Sequence, residues 1–150
     1  MVCIIQRVLK SSVTINGLIH SQINEGYLLL AGFSKDDTKD DIAWMSDKIL
    51  NLRIFSNIDG KFDHSIKDIN GEILVVSQFT LLADSKKGRR PDFSNAMKPD
   101  LAKIFYDDFV AELKTRYIAE KIKTGVFQEE MIVDIQNDGP VTIILDSRSR

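Results

Sequence analysis

The chain has one cysteine in 150 residues, Cys3, so no intrachain disulfide can form. Its place in the apolar run from Val2 to Ile5 reads as a buried structural thiol rather than a nucleophile. A lone thiol fits a reducing compartment, and a cytoplasmic location is expected. Histidine is almost as scarce, with His20 and His64 the only two. One follows a hairpin-like strand and the other sits in a polar, turn-rich segment. Neither stands in a recognisable Ser-His-Asp context, so both read as surface residues. One Cys and two His make no zinc-ligand cluster, and no Walker motif or Gly-rich dinucleotide loop appears. No metal and no cofactor are expected. No apolar run approaches the roughly 20 residues of a membrane span. The chain passes from Met1 straight into a strand-like run, with no basic segment or cleavage site, so neither a membrane partner nor a secretory leader is expected. Excess charge is missing as well: 20 basic residues face 22 acidic ones, a net charge of -2. That excludes nucleic-acid binding by bulk charge. DNA is not an expected partner, and any RNA contact must come from a local basic patch.

What is present is the composition of an ordinary globule, 43% hydrophobic and 28% charged. The length suits one domain over residues 1–150. Val2 to Leu9 reads as a strand. Val13-Thr14-Ile15 and Leu18-Ile19 flank Asn16-Gly17, a hairpin turn signal. Tyr27 to Phe33 is a continuous apolar run, as in a strand covered on both faces. Thr38 with Asp41 resembles a capping box, and Ile42, Met45, Ile49 and Leu52 follow at helical spacing. Pro99 and Asp100 suit the first turn of a second helix, with Leu101, Ile104, Phe105, Phe109 and Leu113 as its apolar stripe. Residues 116–123 either prolong that helix or form a separate turn. Strands outnumber helices and short turns join most neighbours. The expected fold class is α/β in the α+β sense: a mostly antiparallel sheet or barrel-like core with two helices packed on it.

Two polar stretches interrupt the apolar pattern. Ser77-Gln78-Phe79-Thr80 follows the buried-type run Ile73 to Val76. Strand alternation would put Gln78 and Thr80 on one face and Ser77 and Phe79 on the other. Polar groups there need partners or a ligand to serve. Asn137-Asp138-Gly139-Pro140-Val141-Thr142 lies between two apolar runs that read as separate strands. It is either a plain turn, which its residue types favour, or a place where Gly permits a close approach to the main chain.

Together these stretches resemble D-aminoacyl-tRNA deacylases. Further matches are Ile5-Gln6-Arg7-Val8, the run Lys48 to Phe55, and Lys87-Gly88-Arg89-Arg90-Pro91, so the resemblance spans nearly the whole chain in order. It departs at residues 119–123 and at Gln128-Glu129, where smaller residues are expected. The resemblance implies a homodimer acting on the aminoacylated acceptor end of tRNA, with D-amino acids, and glycine mischarged on tRNA-Ala, released by ester hydrolysis. Ser77, Gln78, Phe79 and Thr80 are the expected catalytic residues. N–H groups of the last three are candidates for holding the oxyanion. Thr80 is either a nucleophile, for which no activating base is identifiable, or a positioning group. The resemblance implies the latter, with the substrate's terminal-ribose hydroxyl helping to activate water. It also implies a cis Gly139–Pro140 bond that enters the partner's pocket and rejects L-amino acids. Arg7, Asn137 and Thr142 belong to that selectivity group. Arg7 either fixes the direction of the Gly-Pro carbonyls or is a solvent-facing strand arginine. Phe127 and Met131 are expected at the pocket rim. Lys86, Lys87, Arg89 and Arg90 form either a solvated loop or a contact to tRNA phosphates, and Pro91 and Phe93 pack under that loop or against the terminal base. Two rival readings of the chain are a non-catalytic module that binds acceptor ends and an editing domain that removes an L-amino acid.

Overall fold

A computed structural model of the chain describes residues 1–86 and 88–149. The sheet is built on a strand longer than the sequence pattern marks. β1 runs from Val2 to Ile15 instead of stopping at Leu9. It continues because Ser11, which breaks the apolar run, is buried with a partner, its hydroxyl donating to the Asp134 carbonyl at 2.7 Å. The hairpin follows as expected. Asn16 (φ 49°) and Gly17 (φ 78°) form a two-residue turn, and Ile15 pairs with Leu18 at the start of β2, Leu18–Ile23. Positive φ at both central residues matches the right-handed twist of the flanking strands.

β3, Gly26–Gly32, pairs antiparallel with β1. Tyr27, Leu28, Leu29 and Ala31 are buried within it, as the unbroken apolar run requires. β6, Glu72–Ser77, lies parallel to β3, and β7, Ile122–Thr124, lies parallel to β6. Parallel neighbours need a crossover. Helix α1, Lys39–Asn51, lies in the first, together with the ribbon of β4, Phe55–Ser56, and β5, Phe62–His64. Helix α2, Pro99–Arg116, occupies the second. The path β2-β1-β3-β6-β7 curls until the Ser21 hydroxyl of β2 donates to the Thr124 carbonyl of β7 at 2.8 Å. The result is a nearly closed, barrel-like α+β fold. Among the described residues, no helix is long and apolar enough to cross a membrane.

The Thr38–Asp41 capping box is present, the Asp41 carboxylate accepting from the Thr38 N–H at 2.8 Å and from its hydroxyl at 3.0 Å. α1 buries Ile42, Met45 and Ile49 as expected. The apolar face of α2 is rotated from the expected stripe. Ala102, Tyr106, Phe109, Val110 and Leu113 are buried, whereas Leu101 and Ile104 are exposed. The inner positions recur at the same three- and four-residue helical spacing, but two of them, Ala102 and Tyr106, are a small residue and a phenol. Tyr106 is accommodated because its hydroxyl donates to the Val75 carbonyl at 3.0 Å. α2 ends at Arg116, and residues 119–121 form a separate 3-10 turn.

The largest departure is at the C-terminal end. The two expected strands are one, β8, Ile132–Asp146, which pairs antiparallel with β1 along its length. Asn137 to Thr142 is therefore not a hairpin turn. β8 pairs with no strand but β1 among the described residues, and Ile132, Ile135 and Ile144 project from it exposed.

Candidate functional site

The end of β6 opens onto a cavity of about 710 Å³. Strand alternation stops at Ser77, because Phe79–Leu82 coils into a 3-10 turn, so Gln78 and Thr80 do not share a strand face. The turn is seated tightly on β3. A Cβ at Gly32 would meet Leu82 Cδ2 at 2.5 Å and the Gln78 carbonyl at 2.8 Å. The Gln78 N–H donates to the Ala31 carbonyl at 2.8 Å, which removes it as an oxyanion donor. The Phe79 and Thr80 N–H groups lie at the start of the turn, where main-chain donors lack an intrahelical acceptor. Ser77, Gln78 and Phe79 line the cavity together with Phe127 and Met131, whereas Thr80 does not. Thr80 is tied to the site through Gln78, whose side-chain amide donates to the Thr80 hydroxyl at 2.5 Å.

Phe93 also lines the cavity, and its ring meets that of Phe79 edge-on at 5.0 Å. Beside it, paired N–H···O bonds between Asp84 and Asp92, at 2.8 and 2.9 Å, close the loop that carries Lys86, Arg89 and Arg90. Hydrogen bonds from the Ser94 hydroxyl and N–H hold the Asp92 carboxyl below the usual carboxylate range. Among the described residues, Lys86, Arg89 and Arg90 are exposed and no ion pair engages them. Lys87 lies outside the described residues.

Among the described residues, no histidine stands by to activate a hydroxyl. His20 and His64 do not line the cavity. Burial pushes the Cys3 thiol and the Tyr27 and Tyr106 phenols up, so all three stay neutral at working pH. The cavity wall offers amide donors, a hydroxyl and apolar side chains, with Lys98 and Glu129 the charged residues that line it.

The second stretch sits midway along β8. Gln6 pairs with Thr142 and Val8 with Asn137, so the four residues 138–141 bulge out opposite the single residue Arg7. Arg7 is 8% exposed, which removes the solvent-facing alternative. Its Nη1 donates to the Ile54 carbonyl at 2.6 Å, and its Nε donates to the Asp138 carbonyl at 3.3 Å and lies 2.8 Å from the Asp138 carboxylate. The Phe62 ring covers the guanidinium at 5.6 Å. The Gly139–Pro140 bond is cis, and Gly139 has φ 116°. A Cβ there would meet Val141 Cγ2 at 2.8 Å and Arg7 Nη2 at 3.1 Å, so conformation and space both call for glycine. Gly139 and Pro140 are exposed, as are Asn137 and Thr142 at the feet of the bulge.

Sequence reading missed Asp138, although an acid inside the Gly-Pro motif and an arginine inside an apolar strand are a usable pairing signal. Nor does one chain bring all its candidate residues together. Val133 lines the cavity, and Gly139 lies six residues further along β8, a separation on the order of 20 Å at strand rise.

The family model described as D-Tyr-tRNA(Tyr) deacylase matches residues 4–146. A D-aminoacyl-tRNA deacylase of Chlorobaculum tepidum is 52% identical over 96% of this chain and 95% of its own length. One of Flavobacterium psychrophilum is 49% identical over 100% and 99%. Among solved structures, one described as a c-Myc DNA unwinding element binding protein is 46% identical and superposes with a TM-score of 0.93 over 97% of this chain and 98% of its own. Another, described as a "probable eukaryotic D-amino acid tRNA deacylase", is 16% identical with a TM-score of 0.82 over 96% and 97%, which speaks to the fold alone.

Arg7→Lys should destabilise the chain nearly as much as Arg7→Met. An ammonium is a single point and cannot span the Ile54 carbonyl and Asp138 as the guanidinium fork does. Stranding those acceptors costs about 1–3 kcal/mol. Urea unfolding of the three proteins measures it, and a lysine variant as stable as the wild type contradicts the fork.

Proposed function

The chain belongs to the D-Tyr-tRNA(Tyr) deacylase family, and we propose that it hydrolyses the ester joining a D-amino acid, or glycine mischarged on tRNA-Ala, to the 3′ end of tRNA. It would thereby free tRNA and amino acid and proofread chirality in translation, with residues 1–150 acting as one domain in the cytoplasm. The observation that carries the reading is the start of the 3-10 turn, where the Phe79 and Thr80 N–H groups, without intrahelical acceptors, follow Ser77 and Gln78, with Ser77, Gln78 and Phe79 at the cavity wall.

Water attacks the ester carbonyl. The Phe79 and Thr80 N–H groups receive the negative charge that develops on the oxygen. Losing one such donor typically raises a barrier by about 2.7–4 kcal/mol. The bond to the ribose oxygen then breaks, the ribose oxygen takes a proton, and the amino acid leaves as its acid. The terminal-ribose hydroxyl of the substrate helps activate the water, a task for which neither histidine lines the cavity. Ser77 and Gln78 orient the ester, and Thr80, gripped by Gln78, positions it without being acylated. Phe127 and Met131 close the apolar rim.

Selectivity comes from a second copy of the chain. The free edge of β8, with exposed Ile132, Ile135 and Ile144, suits a homodimer. A bulge too far from its own cavity suits insertion into the partner's. There, main-chain atoms of Gly139 and Pro140, directed by Arg7 and footed on Asn137 and Thr142, occupy the space an L side chain needs. A D side chain points elsewhere, and glycine has nothing to clash. Lys86, Arg89 and Arg90, with Lys87, would meet acceptor-end phosphates.

Matched D- and L-tyrosyl-tRNA decide the reading. Release of D-tyrosine with negligible release of L-tyrosine is expected, and Thr80→Ala should slow it without any trapped acyl-enzyme. Release from neither makes this a binding module, and release from L alone makes it an editing domain. A covalent adduct on Thr80 overturns the water route.

The basic loop is tested by Arg89→Ala with Arg90→Ala. tRNA binding should weaken for every tRNA, and the slope of log affinity against log salt should fall by about 0.7–0.9 per lost phosphate contact. An unchanged slope returns the loop to solvent. The description of the 46% identical structure favours DNA as a second reading. Duplex DNA that displaces tRNA at equal concentration supports it.

A further inference from the structure

Gly125 follows β7, and its N–H donates to the Val75 carbonyl at 2.9 Å. Its backbone is not left-handed, so glycine here answers a need for space rather than for conformation. A Cβ at this position would meet Met131 Sδ at 2.7 Å, with Met131 Cε at 3.5 Å and Val76 Cγ2 at 3.6 Å. Met131 and Val76 both line the cavity. Met131 is partly buried and packs against a cluster in which Val8, Val13, Leu28 and Leu74 are fully buried. Such an interior is close-packed and gives way little. The cavity that Met131 lines is open space into which a thioether pushed off Gly125 can move. Methionine's three side-chain rotations make that displacement easy.

We propose that Gly125 is a positioning residue for the reaction. By leaving room for the Met131 thioether, it sets how far the wall stands from the apolar group of the aminoacyl-adenosine end that rests on it. That group is the amino-acid side chain or the terminal base. The inference rests on the deacylase reading above.

The test measures kcat and KM of wild type, Gly125→Ala, Met131→Ala and the double variant with D-tyrosyl- and D-alanyl-tRNA. The affinity of each protein for a non-hydrolysable amide analogue of D-tyrosyl-adenosine and its thermal unfolding are measured beside them. Gly125→Ala should raise KM by about tenfold, the lower end of what one methylene is worth in an apolar pocket, and change kcat less. Removing the thioether should cancel the effect, the double variant matching Met131→Ala within about twofold. A rise confined to D-tyrosyl-tRNA assigns the wall to the side chain, and an equal rise for both assigns it to the base. Either supports the proposal. An unchanged KM in folded Gly125→Ala, or a rise that Met131→Ala fails to relieve, overturns it. Should Gly125→Ala not fold, the double variant decides. Folding and matching Met131→Ala supports the proposal, and failing to fold contradicts it. Wild type that hydrolyses neither ester sinks the deacylase reading instead, and the analogue affinities then report on the wall alone.

Discussion

The burial of Arg7 beneath an interruption in the β1–β8 ladder is the constraint on which the rest of the site depends. A guanidinium with 8% exposure is tolerable only if its donors are used and its charge is answered. The Ile54 carbonyl, the Asp138 carbonyl and the Asp138 carboxylate do both. The same contacts tie the lead-in to the β4–β5 ribbon to the middle of β8 and hold four bulged residues against one. Gly139 fits because a side chain would strike that guanidinium and Val141. The exposed Gly-Pro bulge is thus a rigid projection from a sheet rather than a loop tip.

The cavity follows a matching logic at the far end of β6. β3 accepts the Gln78 N–H, Gly32 lets the 3-10 turn sit close, and the next two N–H groups, at the start of that turn, lack intrahelical acceptors. Donors fixed in this way need no reorganisation as charge develops on a substrate oxygen. With the thiol and phenols held neutral and neither histidine lining the cavity, main-chain donors stand among its few polar groups. In the proposed assembly the two halves meet across a dimer, donors from one copy and the excluding bulge from the other.

Much of the fold was legible because local signals agreed with it. Asn16-Gly17, the Thr38–Asp41 box, Pro99 at the head of α2 and the apolar run of β3 all appear where their residue types place them. The misses share a cause, which is that long-range partners overrode local preference. Ser11 kept β1 going because Asp134 accepted its hydroxyl. α2 buried Ala102 and Tyr106 instead of Leu101 and Ile104, the Tyr106 hydroxyl finding an acceptor at Val75. Asn-Asp-Gly-Pro looks like a turn, yet β1 pairs with β8 on both sides of it. In the site, Ser77, Gln78, Phe79, Phe127 and Met131 could be gathered from sequence and do line one cavity. Asp138 and Gly125 were missed, since one matters through a partner 131 residues away and the other through the side chain it lacks.

The central claim is that each active site joins the cavity of one copy to the Gly-Pro bulge of another. Subunit complementation tests it most directly. Gln78→Ala with Thr80→Ala disables the cavity, and Gly139→Val disables the bulge. Each variant alone should lose selective D-tyrosyl-tRNA hydrolysis. A mixed dimer, unfolded and reassembled from both, holds one site with both parts intact. The account predicts recovery of D-selective turnover towards half the wild-type rate per dimer. Variants that assemble into folded mixed dimers without any recovery contradict it.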